Sequence, residues 1–402
     1  MKIRIALAGG GSGGHMYPLI SVVREIRNQC DSSKKKISLD IRFFGNPGTY
    51  KELLEKEDIE VVSIVSSKLR RYFDIKNFFD LFRFFFGLLQ SIWKLYWFMP
   101  DITFSKGGPG ALSVLSACKF YMIPIIIHDS DAIPGLTNKT SGKGARIIEL
   151  AFESARSHFP KRVKINIVGT PVREAFVRTT KTPEESRLKF NLNSKLPVIF
   201  VIGGSQGAKP LNDFVFENAE LLLSRYQIIH QVGLKNFEGY NNEFEFFSEK
   251  YNPELKRHYV YRAYFEEQLK DAYNAADLVL ARASATVIFE IAYLGKPSIL
   301  VPIPDSANNH QWENAIQYED AGACLVVGQE NLLGKLFTVQ VDSLLANPEK
   351  YSAMKDAAKK FYIPHAAEKI AKDILEIGKN LTIQADLPKR HNATKRAPGS
   401  LY

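Results

Sequence analysis

Ile3-Arg4-Ile5-Ala6-Leu7-Ala8-Gly9-Gly10-Gly11-Ser12-Gly13-Gly14-His15 sets a short apolar strand directly before a glycine-rich turn. The pairing recurs at Val198-Ile199-Phe200-Val201-Ile202-Gly203-Gly204-Ser205-Gln206-Gly207. A turn without Cβ atoms lets backbone N–H groups approach an anion closely. The helix that follows such a turn adds its positive N-terminal end. Two phosphate-cradling turns half a chain apart predict two α/β domains facing each other across a cleft that holds phosphorylated ligands.

A chain of 402 residues exceeds what one core usually spans, in agreement with two domains. Its 45% hydrophobic and 24% charged composition is that of a folded protein. Three isolated cysteines, Cys30, Cys118 and Cys324, point to a reducing compartment and away from disulfides or structural zinc. The apolar run after Met1 is short and ends in the glycine loop, so it reads as a strand rather than a signal peptide. A net charge of +10 draws phosphate-rich partners. No zinc-finger, helix-turn-helix or RNA-binding signature accompanies it, and nucleic acid is not expected as a partner.

Apolar runs at 3–8, 40–44, 61–65, 102–105, 123–128, 147–151 and 165–168 alternate with helical stretches. A second series runs 198–202, 227–232, 259–261, 278–281, 298–301 and 323–327. That alternation predicts parallel sheets with crossover helices. Residues 169–173 read as the join between halves. The basic stretch 381–402 is expected to be disordered.

Residues 68–100 break the pattern. They carry Tyr72, Phe73, Phe78, Phe79, Phe82, Phe84, Phe85, Phe86, Trp93, Tyr96, Trp97 and Phe98, interleaved with Lys68, Arg70, Arg71, Lys76, Arg83 and Lys94. The longest uncharged run, 84–93, is about half the roughly 20 residues a spanning helix needs. Two readings compete: an interfacial helix on an anionic membrane, and a crossover helix buried against the sheet. There are more rings than one buried face accommodates, which favours the interface.

Several positions can carry chemistry. Gly9, Gly11 and Gly14 fit a dinucleotide fingerprint, but no acidic residue stands where a ribose ligand would be needed. His15 opens the next helix and can titrate in the cleft. Lys106, in the strand exit Ser105-Lys106-Gly107-Gly108, is available for phosphate. At 284–286 a helix starts after a strand, so its free N–H groups can face a diphosphate, with Glu290 placed to accept ribose hydroxyls. Asn308, Asn309, His310 and Gln311 can bond a sugar. Asp129 and Asp131 flank Ser130 either as a metal pair or as an acceptor-holding loop.

Taken together, residues 10–18, 105–108, 135–139, 171–173, 203–208 and 282–290, with Asn309-His310-Gln311 and Asn314-Ala315, resemble the MurG family, which converts lipid I to lipid II. The resemblance covers the chain to about residue 378. It implies a GT-B fold: two Rossmann-like domains with parallel sheets, 1–168 and 169–363, and a helix near 364–378 packing back on the first. It implies inverting, metal-independent transfer without a cofactor, on the cytoplasmic face of the membrane. UDP-GlcNAc would lie against Arg173, Ser205, Gln206, Arg282, Glu290 and Gln311. Lipid I would lie near Ser12, Gly13, Gly14 and Asn138, with His15 as base. The chain departs from the family pattern at Pro109-Gly110, at Asp129-Ser130-Asp131, at Ala283-Ser284 and at Thr170. A transferase acting on another membrane lipid, or a UDP-GlcNAc 2-epimerase, shares the scaffold.

Overall fold

The structure is a computed structural model describing residues 1–33, 37–66, 76–173, 176, 181–192, 195–248, 253–304, 306 and 309–386, with backbone only at 76–79, 247–248 and 382–386. Expectations for the aromatic and basic residues at 68–73, for Asn308 and for residues 387–402 of the tail fall outside it, whereas residues 381–386, expected to be disordered, continue the helix Ala366–Asp386.

Two all-parallel sheets account for the strands. The first has seven strands in the order β3-β2-β1-β4-β5-β6-β7: β1 Lys2–Ala8, β2 Ser38–Gly45, β3 Glu60–Ser63, β4 Ile102–Ser105, β5 Ile125–Asp129, β6 Ile147–Leu150 and β7 Lys164–Ile167. The second has six in the order β10-β9-β8-β11-β12-β13: β8 Val198–Ile202, β9 Gln227–Gln231, β10 Tyr259–Arg262, β11 Leu278–Ala281, β12 Ser298–Leu300 and β13 Leu325–Val326. Each falls on one of the apolar runs, with ends shifted by at most two residues.

A parallel sheet covered by helices is buried on both faces, so its central strands are apolar throughout. Ile3, Ile5 and Leu7 of β1 pack into one core while Ala6 and Ala8 pack into another. In the second sheet Val198, Phe200 and Ile202 face one core and Ile199 and Val201 the opposite one. The helix Ala366–Asp386 packs on the first sheet: Ile370, Ala371, Ile374 and Leu375 join the core of Ile3 and Ile5. A Cβ at Gly378 would stand 2.9 Å from Ile3 Cγ2, so glycine permits the close approach. The chain therefore crosses between lobes twice, at 169–173 and near 363–366.

The helix Lys76–Phe98 has 23 residues, and its two faces differ. Leu95 and Phe98 are buried against Ala111–Phe120 and β1. Phe82, Phe85, Phe86, Leu89, Trp93, Tyr96 and Trp97 are more than half exposed, with Trp93 at 65% and Trp97 at 70%. Phe84 is only half-buried and does not belong to the exposed set. Phe120 and Met122 extend the apolar face, anchored beside it by the Tyr121 hydroxyl donating to the Ile92 carbonyl at 3.1 Å. Among the described residues, no helix is long and apolar enough to cross a membrane.

Candidate active site

In an open parallel sheet, ligands bind beyond the strand ends where the strand order reverses. The first sheet reverses between β1 and β4, the second between β8 and β11. The exits from these strands are residues 9–14, 106–110, 203–207 and 282–286. They meet across the gap: a Cβ on Gly13 would lie 3.5 Å from Ser205 Oγ, and one on Gly14 would lie 3.4 Å from Thr286 Oγ1. Between them is a cavity of about 400 Å³ whose wall includes His15, Lys106, Asp131 and Asn138 from the first domain and Ser284 and Thr286 from the second.

Ser12 caps the Gly13–Asp31 helix through its carbonyl, which accepts from His15 N and Met16 N at 3.0 Å each. The His15 ring lies between two glycines. A Cβ on Gly10 would be 3.3 Å from its Cδ2, and one on Gly108 would be 3.2 Å from its Cε1. His15 Nδ1 is 3.1 Å from the Lys106 carbonyl, which can only accept; the proton sits on Nδ1 and the Nε2 lone pair is left free. Burial, helped by the Lys106 ammonium, pushes the His15 pKa down to about 4, so the ring is neutral near pH 7.

Lys106 is committed differently from the sequence expectation. Its ammonium contacts His128 Nδ1 and Ser130 Oγ rather than standing free for a phosphate. His128 Nε2 in turn bonds the Gly169 carbonyl at 2.8 Å, which makes Nδ1 the acceptor. Burial lowers the Lys106 pKa to about 7, against the pull of Asp129 and Asp131. Asp129 is raised to about 6 by burial and then by Asp131. Its oxygens accept from Asp131 N at 3.0 Å and Asn138 Nδ2 at 2.9 Å. Asp131 accepts from Asn314 Nδ2 at 2.9 Å, while Ala132 N donates to Asn314 Oδ1 at 2.7 Å. These carboxylates thus hold the loop and clamp the two domains together. Among the described residues, no cluster of three or more metal-ligating side chains occurs. Asn138 keeps its Oδ1 buried without a partner, facing Gly107, where a Cβ would come within 2.3 Å.

On the other side, Ser284 caps the helix Ala285–Leu294 in extended geometry without a side-chain cap bond, so first-turn N–H groups remain open at the cavity wall. Ser205 is contacted by the Tyr50 hydroxyl at 3.3 Å, and Gln206 is exposed on the same turn. Three expected nucleotide ligands make contacts within the protein, although Arg282 Nε and Glu290 Oε1 are buried without a hydrogen-bond partner. Arg282 donates to the carbonyls of Val301 at 3.0 Å and Pro302 at 3.1 Å and to Gln329 Oε1 at 2.6 Å. Gln311 Oε1 accepts from Ile303 N at 3.1 Å. Glu290, one turn beyond Thr286, is fully buried, 3.0 Å from Arg173 Nε and 3.1 Å from the Tyr273 hydroxyl. Burial raises its pKa, with Arg173 and Tyr273 opposing.

Ser12, Gly14, His15 and Asn138 therefore share the cavity wall, while Gly13, Arg173, Ser205, Gln206, Arg282, Glu290 and Gln311 do not line it. Sequence reasoning missed Tyr17, Tyr264 and Tyr273 around Arg173, Tyr50 beside Tyr17, and also the clamp made by Asn314. No local pattern marks them, because single tyrosines on separate elements become a group only after folding.

Two family models match: the glycosyltransferase family 28 N-terminal domain over residues 5–148 and the C-terminal domain over residues 198–373. A UDP-N-acetylglucosamine–N-acetylmuramyl-(pentapeptide) pyrophosphoryl-undecaprenol N-acetylglucosamine transferase of Clostridium botulinum (strain Loch Maree / Type A3) is 34% identical over 350 residues, covering 87% of this chain and 92% of the relative. The crystal structure of Acinetobacter baumannii MurG matches with a TM-score of 0.68 at 22% identity, over 93% of this chain and 99% of that one. UDP-GlcNAc 2-epimerase from Neisseria meningitidis, bound to UDP-GlcNAc, matches with a TM-score of 0.63 at 14% identity, over 94% of this chain and 100% of that one, a likeness of fold alone. With two parallel-sheet domains, the family 28 halves in order and such a relative along most of its length, the chain belongs to the MurG family of N-acetylglucosamine transferases.

Proposed function

We propose that this protein moves GlcNAc from UDP-GlcNAc to the C4 hydroxyl of MurNAc in lipid I (undecaprenyl-pyrophosphoryl-MurNAc-pentapeptide), forming lipid II. The observation that carries the reading is the neutral His15 imidazole, with Nε2 unprotonated, in one cavity with an uncapped helix start from the other domain. In the proposed step Nε2 takes the C4 hydroxyl proton as that oxygen attacks the anomeric carbon from the face opposite the leaving group. The bond to UDP breaks, and its electron pair goes to the diphosphate oxygen. The amides at Ser284–Thr286 and the glycine turn of Ser205 and Gln206 stabilise the charge that develops there. Arg282 adds positive field and braces the loop beyond β12, as Gln311 does from the next helix. Glu290 takes the ribose hydroxyls, and Ser12, Gly13, Gly14 and Asn138 hold the acceptor.

Lipid I is anchored by its polyprenyl chain, and the exposed face of Lys76–Phe98 suits the bilayer that holds it. Its aromatic rings would sit at headgroup depth while Arg83 and Lys119 meet anionic lipid. A nucleotide-sugar donor and three buried free cysteines support placement on the cytoplasmic side. The same face favours a lipid acceptor over an isomerase handling only soluble substrate. Transfer of labelled GlcNAc to a short-chain lipid I analogue tests the reading. Product with diacylglycerol and none with the analogue would replace it by the transferase of another membrane lipid.

A further inference from the structure

Arg173 stands at the first crossing between the domains and touches both. Its Nη1 donates to the Tyr264 hydroxyl at 3.0 Å, and that hydroxyl donates to the Tyr17 hydroxyl on the Gly13–Asp31 helix at 2.9 Å. Its guanidinium carbon lies 4.0 Å above the Tyr17 ring. Tyr17 meets Tyr50 edge to face at 5.9 Å, and Tyr50 returns to the second domain through Ser205. The contact with Glu290 is of a different quality. Arg173 Nε and Glu290 Oε1 are 3.0 Å apart, yet neither atom is in hydrogen-bond geometry, and both are buried without another partner. A buried pair left misaligned is costly, because each group has given up water without gaining a directed bond. A ligand hydroxyl donating to Oε1 would satisfy the carboxylate and release the guanidinium.

We infer that Tyr17 and Tyr264 are positioning residues that hold Arg173 as a movable counter-ion of Glu290, so that nucleotide occupancy in the second domain is coupled to its contact with the first. The inference rests on the proposed ribose role of Glu290. Binding then exchanges one partner of Glu290 for another: the ribose hydroxyls replace Arg173, which stays held by the Tyr264 hydroxyl and the Tyr17 ring it already contacts. Tyr17 lies in the other domain from Glu290, so its influence on nucleotide affinity passes through Arg173, through Tyr50 and Ser205, or through general stability, and the Glu290→Gln background separates the first route from the others.

The test is calorimetric titration with UDP of the wild type, Tyr17→Phe, Glu290→Gln and the double variant, with unfolding midpoints recorded for each. Tyr17→Phe keeps the ring and removes one neutral hydrogen bond, so UDP affinity should fall about threefold to tenfold. Glu290→Gln should cost more than about tenfold, and in that background Tyr17→Phe should cost nothing further. Effects that multiply, or no effect of Tyr17→Phe, would overturn the coupling while leaving the ribose reading intact. Unchanged UDP affinity in a folded Glu290→Gln would overturn both. Should Glu290→Gln fail to fold, 2′-deoxy-UDP serves in its place. Tyr17→Phe should weaken UDP and leave 2′-deoxy-UDP unchanged, and equal weakening of both would overturn the coupling.

Discussion

His15 shows how a single side chain is prepared by what surrounds it. Its tautomer is set by one carbonyl, its protonation by burial and a neighbouring ammonium, and its space by Gly10 and Gly108. His15→Ala should lower kcat by about 10²–10⁴-fold, the usual worth of a positioned base, with UDP affinity by calorimetry unchanged. The sign of the pH dependence follows from the lowered pKa. The base form dominates above about 4, so activity at pH 5–6 should not show the loss that an ordinary histidine near 6.5 would impose. A kcat/KM profile falling with an acid limb near 6.5 would contradict this environment. Gly108→Ala should be damaging for a steric reason. At φ +86 its Cβ would come within 3.0 Å of Gly10 backbone and 3.2 Å of His15 Cε1, so kcat should fall with little change in UDP binding. The motif residues around His15 could be read one by one in the sequence. The commitments of Lys106, Arg282 and Glu290 could not, because their partners His128, Gln329 and Arg173 lie far away in the chain.

At the scale of elements, the amphipathic face of Lys76–Phe98 is the clearest case of a pattern with two readings. The sequence showed too many rings for one buried face, and the fold sorted them: Leu95 and Phe98 inward, Phe85, Trp93 and Trp97 outward, and Phe84 between. Replacing Phe85, Trp93 and Trp97 together by Ser should release the protein from vesicles containing anionic lipid in a sedimentation assay. Its unfolding midpoint should change little, since these side chains are more than half exposed. Retention on the vesicles would leave another surface responsible. The strands were legible because a sheet buried on both faces leaves apolar runs bounded by glycine and polar turns. Their pairing order was not legible, since nothing in a run of isoleucines names its neighbour.

For the whole molecule, the question is what keeps two lobes at working distance. Asn314 gives two bonds across the boundary, to Asp131 and from Ala132. Asn314→Ala should loosen the pair, seen as a larger radius of gyration in small-angle scattering, and should lower kcat more than UDP affinity. Unchanged size and rate would assign the clamp to other contacts. Because Asp129 and Asp131 are spent on Asn138, on backbone and on this clamp, transfer should persist in EDTA; loss of activity restored by Mg²⁺ would reopen the loop as a metal site. The two α/β halves, the glycine turns, the helix starts and the histidine were readable from residue order alone, because each is a local matter of spacing, backbone freedom and apolar periodicity. Which groups remain available to a ligand emerged only on folding. Charges separated by more than a hundred residues, such as Arg173 and Glu290, are brought together by strand order and domain contact, and burial then raises the cost of leaving either without a partner.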